Sequence, residues 1–426
     1  MSALAAFGKA TFASLKIRNY RLYFIGIGFS HIGSWMQTVA LGWLVLDITG
    51  SGVQLGMVLA IRFAPLLFGA ILAGNIVDSL DKRKLLFGTQ IASAILASLL
   101  GILVYTGIIE MWMVFFAALL SGCTDALDRP ARQTFVHEMV GPEHLRNAVA
   151  LNSTEANLAR AIGPLCAGIL IASVGMATCF VANALSYVLF IVFLALIRKE
   201  ELHREERVHE IGHTFAGLSY AFSQPLIRTI LISMTVIGTL SYEFSTSLPL
   251  FTQVNFAGDA AEYAAFLSVM GIGSVVGGLF VASRTVITPR EFVVWAFLFG
   301  LSMCVVAIMP TLLFAILAMS FVGFFSICLT STASTMLQLE SAPHMRGRVM
   351  SLWSMAIFGS TLIGAPVIGF IGEHVSPRWA IAIGGIASLV TALFASRALL
   401  LRYTFFKIPN FISIRREEVE LEGTKI

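Results

Sequence analysis

Apolar runs close to twenty residues long, separated by short polar turns, fill the chain from Tyr20 to Leu401. A bilayer's hydrocarbon core takes about 20 helical residues to cross. On that measure the pattern predicts twelve spans, over 20–46, 53–77, 85–106, 111–127, 148–173, 176–197, 226–251, 263–282, 292–309, 311–337, 349–371 and 379–401. Strand-type alternation is absent, and backbone groups in lipid find no water, so each span is expected to be helical. The longest polar interruption, 198–225, divides the chain into six spans and six spans. The expected plan is therefore a segment 1–19, a bundle 20–197, a linker 198–225, a second bundle 226–401 and a tail 402–426.

Composition agrees with this plan. Apolar residues make up 57% of the 426 and charged residues 12%, against roughly 25% charged in soluble domains. The charges that remain are placed asymmetrically. Apart from Arg62, Arg160 and Arg378, the Lys and Arg residues fall in, or within a few residues of, the two termini and the loops after even-numbered spans. Asp47, Glu110, Asp259, Glu262 and Glu373 occupy the opposite loops. This bias predicts that both termini are cytoplasmic. The net charge of +4 then reflects topology and anionic lipid at the inner leaflet, and no nucleic-acid partner is expected. The first apolar run follows Lys9, Lys16, Arg18 and Arg21 and is too long for a cleaved signal, so the first span is expected to be retained.

Cys123, Cys166, Cys179, Cys304 and Cys328 all lie in predicted spans and read as packing residues, without a disulfide framework. In the linker His203, His209 and His213 invite a metal reading. No cysteine or tight ligand cluster accompanies them, so a solvated linker with no metal is expected.

The second and third spans are joined by GNIVDSLDKRK, Gly74 to Lys84. This turn resembles the signature loop of major facilitator transporters, with Gly74, Asp78, Lys82 and Arg83 in the motif places and Asp81 where most members have Gly. The halves also repeat. Gly141 to Asn152 reads GPEHLRNAVALN and Ser341 to Leu352 reads SAPHMRGRVMSL, while Gly163 and Gly168 match Gly364 and Gly369, about 200 residues on. The stretch Asp128 to Gly168, with LKIRNYRLYF and SHIGSWMQTVALGWLVLDITGS near the start, is similar to the subgroup of enterobactin exporters and macrolide efflux proteins. That resemblance implies an all-α membrane protein of two pseudo-symmetric six-helix bundles. It further implies export of a small or medium-sized organic molecule against proton entry. It also makes Gly74, Asp78, Asp81, Lys82 and Arg83 a gate with the eleventh helix as partner, one-sided because the stretch Gly277 to Glu291 lacks the Asp and the basic cluster. Gly163, Pro164 and Gly168 resemble part of an antiporter packing pattern. Small residues admit a close neighbour and Pro164 bends the helix; an ordinary small-residue interface is the competing reading.

Ionisable groups at membrane depth are costly and therefore informative. Arg62 lies near mid-depth in the second span and suits a cargo-facing anion site or an ion pair within the first bundle. Arg160 shares a helix face with Ser153 and Asn157. Glu155, turned to another neighbour, is a proton-carrier candidate or a fixed partner of an adjacent helix. Glu243 is the carboxylate well inside a second-half span, beside Tyr242. His31, with Trp35 one turn on, titrates near neutrality in its unperturbed state or serves as neutral packing. Proton coupling therefore falls to Glu155, Glu243 and His31, and cargo contact to His31, Trp35, Gln37, Arg62, Arg160, Tyr242, Glu243 and Trp353.

These features favour a proton-coupled exporter of siderophore-like or amphipathic drug-like cargo, monomeric, with protons, cargo and lipid as partners and no cofactor beyond the proton motive force. A lipid or lysolipid flippase, or a membrane sensor that keeps the fold, remains open. No paired nucleophile and base, metal cluster or phosphate loop supports an enzyme.

Overall fold

The computed structural model describes residues 12–69, 76–77, 79–203, 214–284 and 287–400. Within them the protein is helical. Ten helices are long and apolar enough to cross a membrane: α3 (Lys82–Thr106), α4 (Met111–Leu145), α5 (Asn147–Ser173), α6 (Ala177–Ala195), α7 (Pro225–Phe256), α8 (Ala260–Ala282), α9 (Pro289–Ile308), α10 (Leu312–Glu340), α11 (Arg346–His374) and α12 (Pro377–Leu399). They fall on the predicted third to twelfth spans. The first two predicted spans fall on α1 (Arg18–Thr49), longer but more polar, and α2 (Gly52–Phe68), an apolar helix of 17 residues.

Local chemistry explains where several helices begin. Ser51 and Asp81 accept from the backbone N–H groups of Gln54 and Lys84, capping α2 and α3. Reciprocal capping boxes, Asp259 with Glu262 and Thr288 with Glu291, open α8 and α9, each satisfying N–H groups that a helix start leaves unpaired. Gly50 and Gly107, at positive φ, close α1 and α3, a conformation that costs glycine nothing.

The fourth span corrects the sequence reading, which ended it at Leu127. The helix continues through DRPARQ because its polar groups find partners inside the bundle. Thr89 Oγ1 and Gln90 Nε2 of α3 each donate to Asp128 Oδ1 at 2.7 Å, and Arg132 Nε donates to Asp128 Oδ2. Asp128 and Arg132 are thus buried residues, not a solvated loop. A break comes later, at Gly141, whose φ of 66° interrupts an otherwise continuous helical run, Met111–Ser173.

In the first half α1 packs on α6 and on the α4–α5 run, and α3 packs on α4 and α6. In the second, α8 and α9 pack on α10, and α12 packs on α7 and α9. The halves meet along two seams, α2 against α11 and α5 against α8, which the internal repeat exchanges. Both seams rest on small residues. A β-carbon on Gly56 would strike the Ala365 backbone, one on Gly369 the backbone of Gly52, one on Gly271 the backbone of Ala161, and one on Gly168 the Ala264 side chain at 3.0 Å. Backbone-level approach of this kind is how helices associate where lipid is as apolar as the side chains.

We call the end of the bundle that carries Arg198 and Pro225 the linker side. These seam contacts lie from mid-depth to the far side. There the Glu373 carboxylate accepts from Ser51 Oγ at 2.6 Å and from Val53 N at 2.9 Å, tying α11 to the start of α2.

Candidate functional site

Helix α5 brings two of the predicted residues to α1. Glu155 is buried, and both its oxygens face His31 Nδ1, at 2.9 and 3.1 Å. His31 keeps about a third of its side chain exposed, 32% against 8% for Glu155. A carboxylate held against an accessible imidazole can share or pass a proton, and one added proton changes the charge of the pair. Gly28, one turn before His31, lies beside the pair: a β-carbon there would sit in ordinary contact with Glu155 Cγ, at 3.7 Å. Towards the linker side the Tyr20 hydroxyl stands 2.9 Å from both Ala148 O and Asn152 Oδ1, continuing the polar track along α5.

Arg62 pairs with Asp125 of α4, Nη2 to Oδ2 at 3.1 Å and Nε to Oδ2 at 3.3 Å. Gly122 permits the approach, because any side chain there would meet the Arg62 carbonyl. Sequence reading missed Asp125, although it lies inside the predicted fourth span. Its spacing after Gly122, one helical turn, was the available signal. Both members stay partly open, at 21% and 31% side-chain exposure.

Arg160, one helical turn and a little more beyond Glu155, points elsewhere. Its guanidinium lies over the Trp35 ring, 5.3 Å from the centroid, and within electrostatic reach of Tyr242 on α7. Gly163 allows this, since a β-carbon there would collide with Trp35. No ion pair or hydrogen bond from Arg160 is found among the described residues, and its Nε is buried without a partner. An uncompensated charge at membrane depth costs about 2.5–3.5 kcal/mol on the lenient insertion scale. A cation–π contact returns about 0.5–2 kcal/mol, so Trp35 offsets only part.

Glu243 sits at a break in α7, between Pro225–Ser241 and Phe244–Phe256. It is buried, and its Oε1 has no partner. A β-carbon on Gly364 would lie 2.9 Å from that oxygen. Tyr242 spends its hydroxyl on Ser326 O at 3.0 Å and packs on Phe299. Gln37 accepts from Asn183 Nδ2 at 2.6 Å, a buried link between α1 and α6. Trp353 is half-buried on α11, just before a π-helical turn, Met355–Gly359.

The matched glycines occupy equivalent places. Gly168 and Gly369 lie in the two seams, whereas Gly163 and Gly364 receive α1 and α7 inside their own halves. On this correspondence Trp35 answers to Tyr242, His31 to Gly238 and Glu155 to Ala356. Gly238 does pack on Ala356, whose carbonyl a β-carbon would meet at 2.5 Å. Where the first half inserts a titratable pair, the second has bare close packing.

Of the basic turn, Gly74 and Asp78 lie outside the described residues. Asp81 caps α3, and Lys82 Nζ donates to Val77 O at 2.5 Å and Leu80 O at 3.2 Å. Arg83 donates to Leu194 O and Ala195 O, both at 3.0 Å, closing the end of α6 in its own half. Nearby Arg129 lies over Phe63 of α2 and Phe358 of α11, at 5.9 and 5.1 Å, a contact between halves.

Two halves joined along two seams, with charged pairs at membrane depth, fit the plan of a membrane transporter. From residue 9 to 412 the chain matches the family described as transmembrane secretion effector, and it belongs to that family, a major facilitator branch of drug and siderophore exporters. Relatives include the staphyloferrin A transporter of Staphylococcus aureus, 25% identical over 76% of this chain and 82% of the relative. The multidrug efflux pump Tap of Mycolicibacterium fortuitum is 25% identical over 80% and 86%. The enterobactin exporter EntS of Citrobacter koseri is 23% identical over 88% and 90%. Among solved structures, an inward-facing bacterial homologue of the lysosomal transporter Spinster superposes with a TM-score of 0.69 at 14% identity, covering 90% of this chain and 95% of that one. The nucleoside transporter NupG gives 0.69 at 14% identity, covering 92% and 100%. At such identities the likeness concerns the fold.

Proposed function

We propose that this protein is a secondary active exporter of small or medium-sized organic molecules, siderophore-like or amphipathic and drug-like, working by alternating access with proton antiport. On this reading α1 to α12 are twelve spans of a bacterial inner-membrane monomer, with both termini and the linker side in the cytoplasm. The names of the relatives support the cargo class, and the basic residues on the linker side support the orientation.

The observation that carries the coupling is the His31–Glu155 pair. It is buried on one partner and accessible on the other, so a proton can reach it from water while its charge is felt in a low-dielectric interior. It bridges α1 and α5, and α5 forms one of the seams. Proton loading would thus change the electrostatics of a helix that must part from α8 when the far side opens.

Inside-out vesicles with an acidic interior test this. Staphyloferrin-type and enterobactin-type siderophores and a panel of cationic dyes are offered outside, with cargo uptake and proton release recorded together. Uptake driven by the imposed gradient, abolished by its collapse, supports the proposal. Cargo flux that ignores the gradient defeats proton coupling, and no flux of any of these cargoes defeats the exporter reading as stated.

A further inference from the structure

We infer that Arg160, lying over the Trp35 ring, is an anion-reading site and that the cargo bound there carries a carboxylate or comparable anionic group beside a flat apolar portion. The inference rests on the exporter reading and narrows its substrate class.

Three other buried or half-buried arginines bond protein oxygens. Arg62 donates to Asp125, Arg132 to Asp128, and Arg378 to the carbonyls of Ala307 and Met309. Each is neutralised or saturated by protein oxygens. Arg160 has none among the described residues, and its Nε is enclosed and unbonded while the side chain as a whole stays partly accessible. Arginine cannot shed its proton to escape this. A permanent cation at mid-depth with no internal counter-ion is completed by an anion that arrives from outside the chain.

Its neighbour specifies more than charge. The guanidinium lies over the Trp35 ring, 5.3 Å from its centroid. A guanidinium stacked on an aromatic ring favours a planar anion, which can take forked hydrogen bonds while its apolar part lies on the ring.

The test uses the purified full chain in detergent and isothermal calorimetry with two probes of one shape, 1-naphthylacetate and 1-naphthylacetamide. The wild type should bind the carboxylate about tenfold or more tightly than the amide. Arg160→Gln should lower the carboxylate to the amide's affinity and leave the amide nearly unchanged, and Arg160→Lys should retain part of the preference. Equal affinity of the wild type for both probes overturns the inference, as does the absence of binding by either. So does a preference that survives in Arg160→Gln. The wild-type comparison stands even where a variant is unstable. Binding with the expected preference but without flux in vesicles would defeat the exporter reading and leave the site intact.

Discussion

At the scale of single residues, pairing decides what each charge can do. Glu155→Gln keeps the shape of the His31 partner but removes its titration. It should cut gradient-driven transport more than about tenfold while leaving protein yield and melting temperature close to wild type. Unchanged transport with intact coupling would remove the pair from the mechanism. Arg62→Ala strands Asp125 in the wall of the bundle. Breaking a buried pair costs about 3–5 kcal/mol, but the partial exposure of both groups reduces that to about 1–2 kcal/mol. The double variant with Asp125→Asn should recover most of the loss in thermal melts, and a double variant as unstable as the sum of the singles would refute the pairing. His31, Glu155, Arg62 and Arg160 were all legible in the sequence, since ionisable residues in apolar runs announce themselves. Their partners were not. Asp125 lay close to the polar stretch that follows, where falling hydropathy conceals a helix that continues.

Among helices, the decisive quantity is how closely backbones approach. Gly369→Val places a branched side chain against the Gly52 backbone in the seam between α2 and α11, where neither main chain can yield cheaply. The variant should insert normally, lose transport, and hold the far side apart. Spin labels at the exposed positions Tyr105 and Val375, one in each half, should report a longer separation than in the otherwise unmodified protein. An unchanged distance would show that this seam does not set far-side closure. The repeated glycines were visible in the sequence as matched letters, but the letters did not distinguish those that join the halves from those that receive α1 and α7. Only the packing separates them, because five residues along a helix turn a position through roughly 140° and so towards a different neighbour.

For the whole molecule, the helical, multi-pass character was legible because lipid forces helices, and the ten long apolar helices fall on the third to twelfth predicted runs. The two seams were not, since nothing in apolar periodicity names which helix a face meets. Orientation yields a direct prediction. In a cysteine-free background, Asp259→Cys should react with an impermeant maleimide on intact cells, whereas Lys199→Cys should react only after permeabilisation. The opposite pattern would invert the proposed topology. Asp78→Asn, in the basic turn, should leave insertion unaffected and lower transport in the vesicle assay, and full activity would exclude its carboxylate from gating.

Arg83 gives the basic turn a mechanical consequence. Its hold on the Leu194 and Ala195 carbonyls fastens the entrance of α3 to the exit of α6. A few residues on, Arg198 N donates to Asn19 Oδ1 at the root of α1. The turn, the base of α1 and the start of the linker therefore form one handle. A pull on the linker acts on the entire first half as a lever, and force applied between the halves reaches the turn without passing through the cargo.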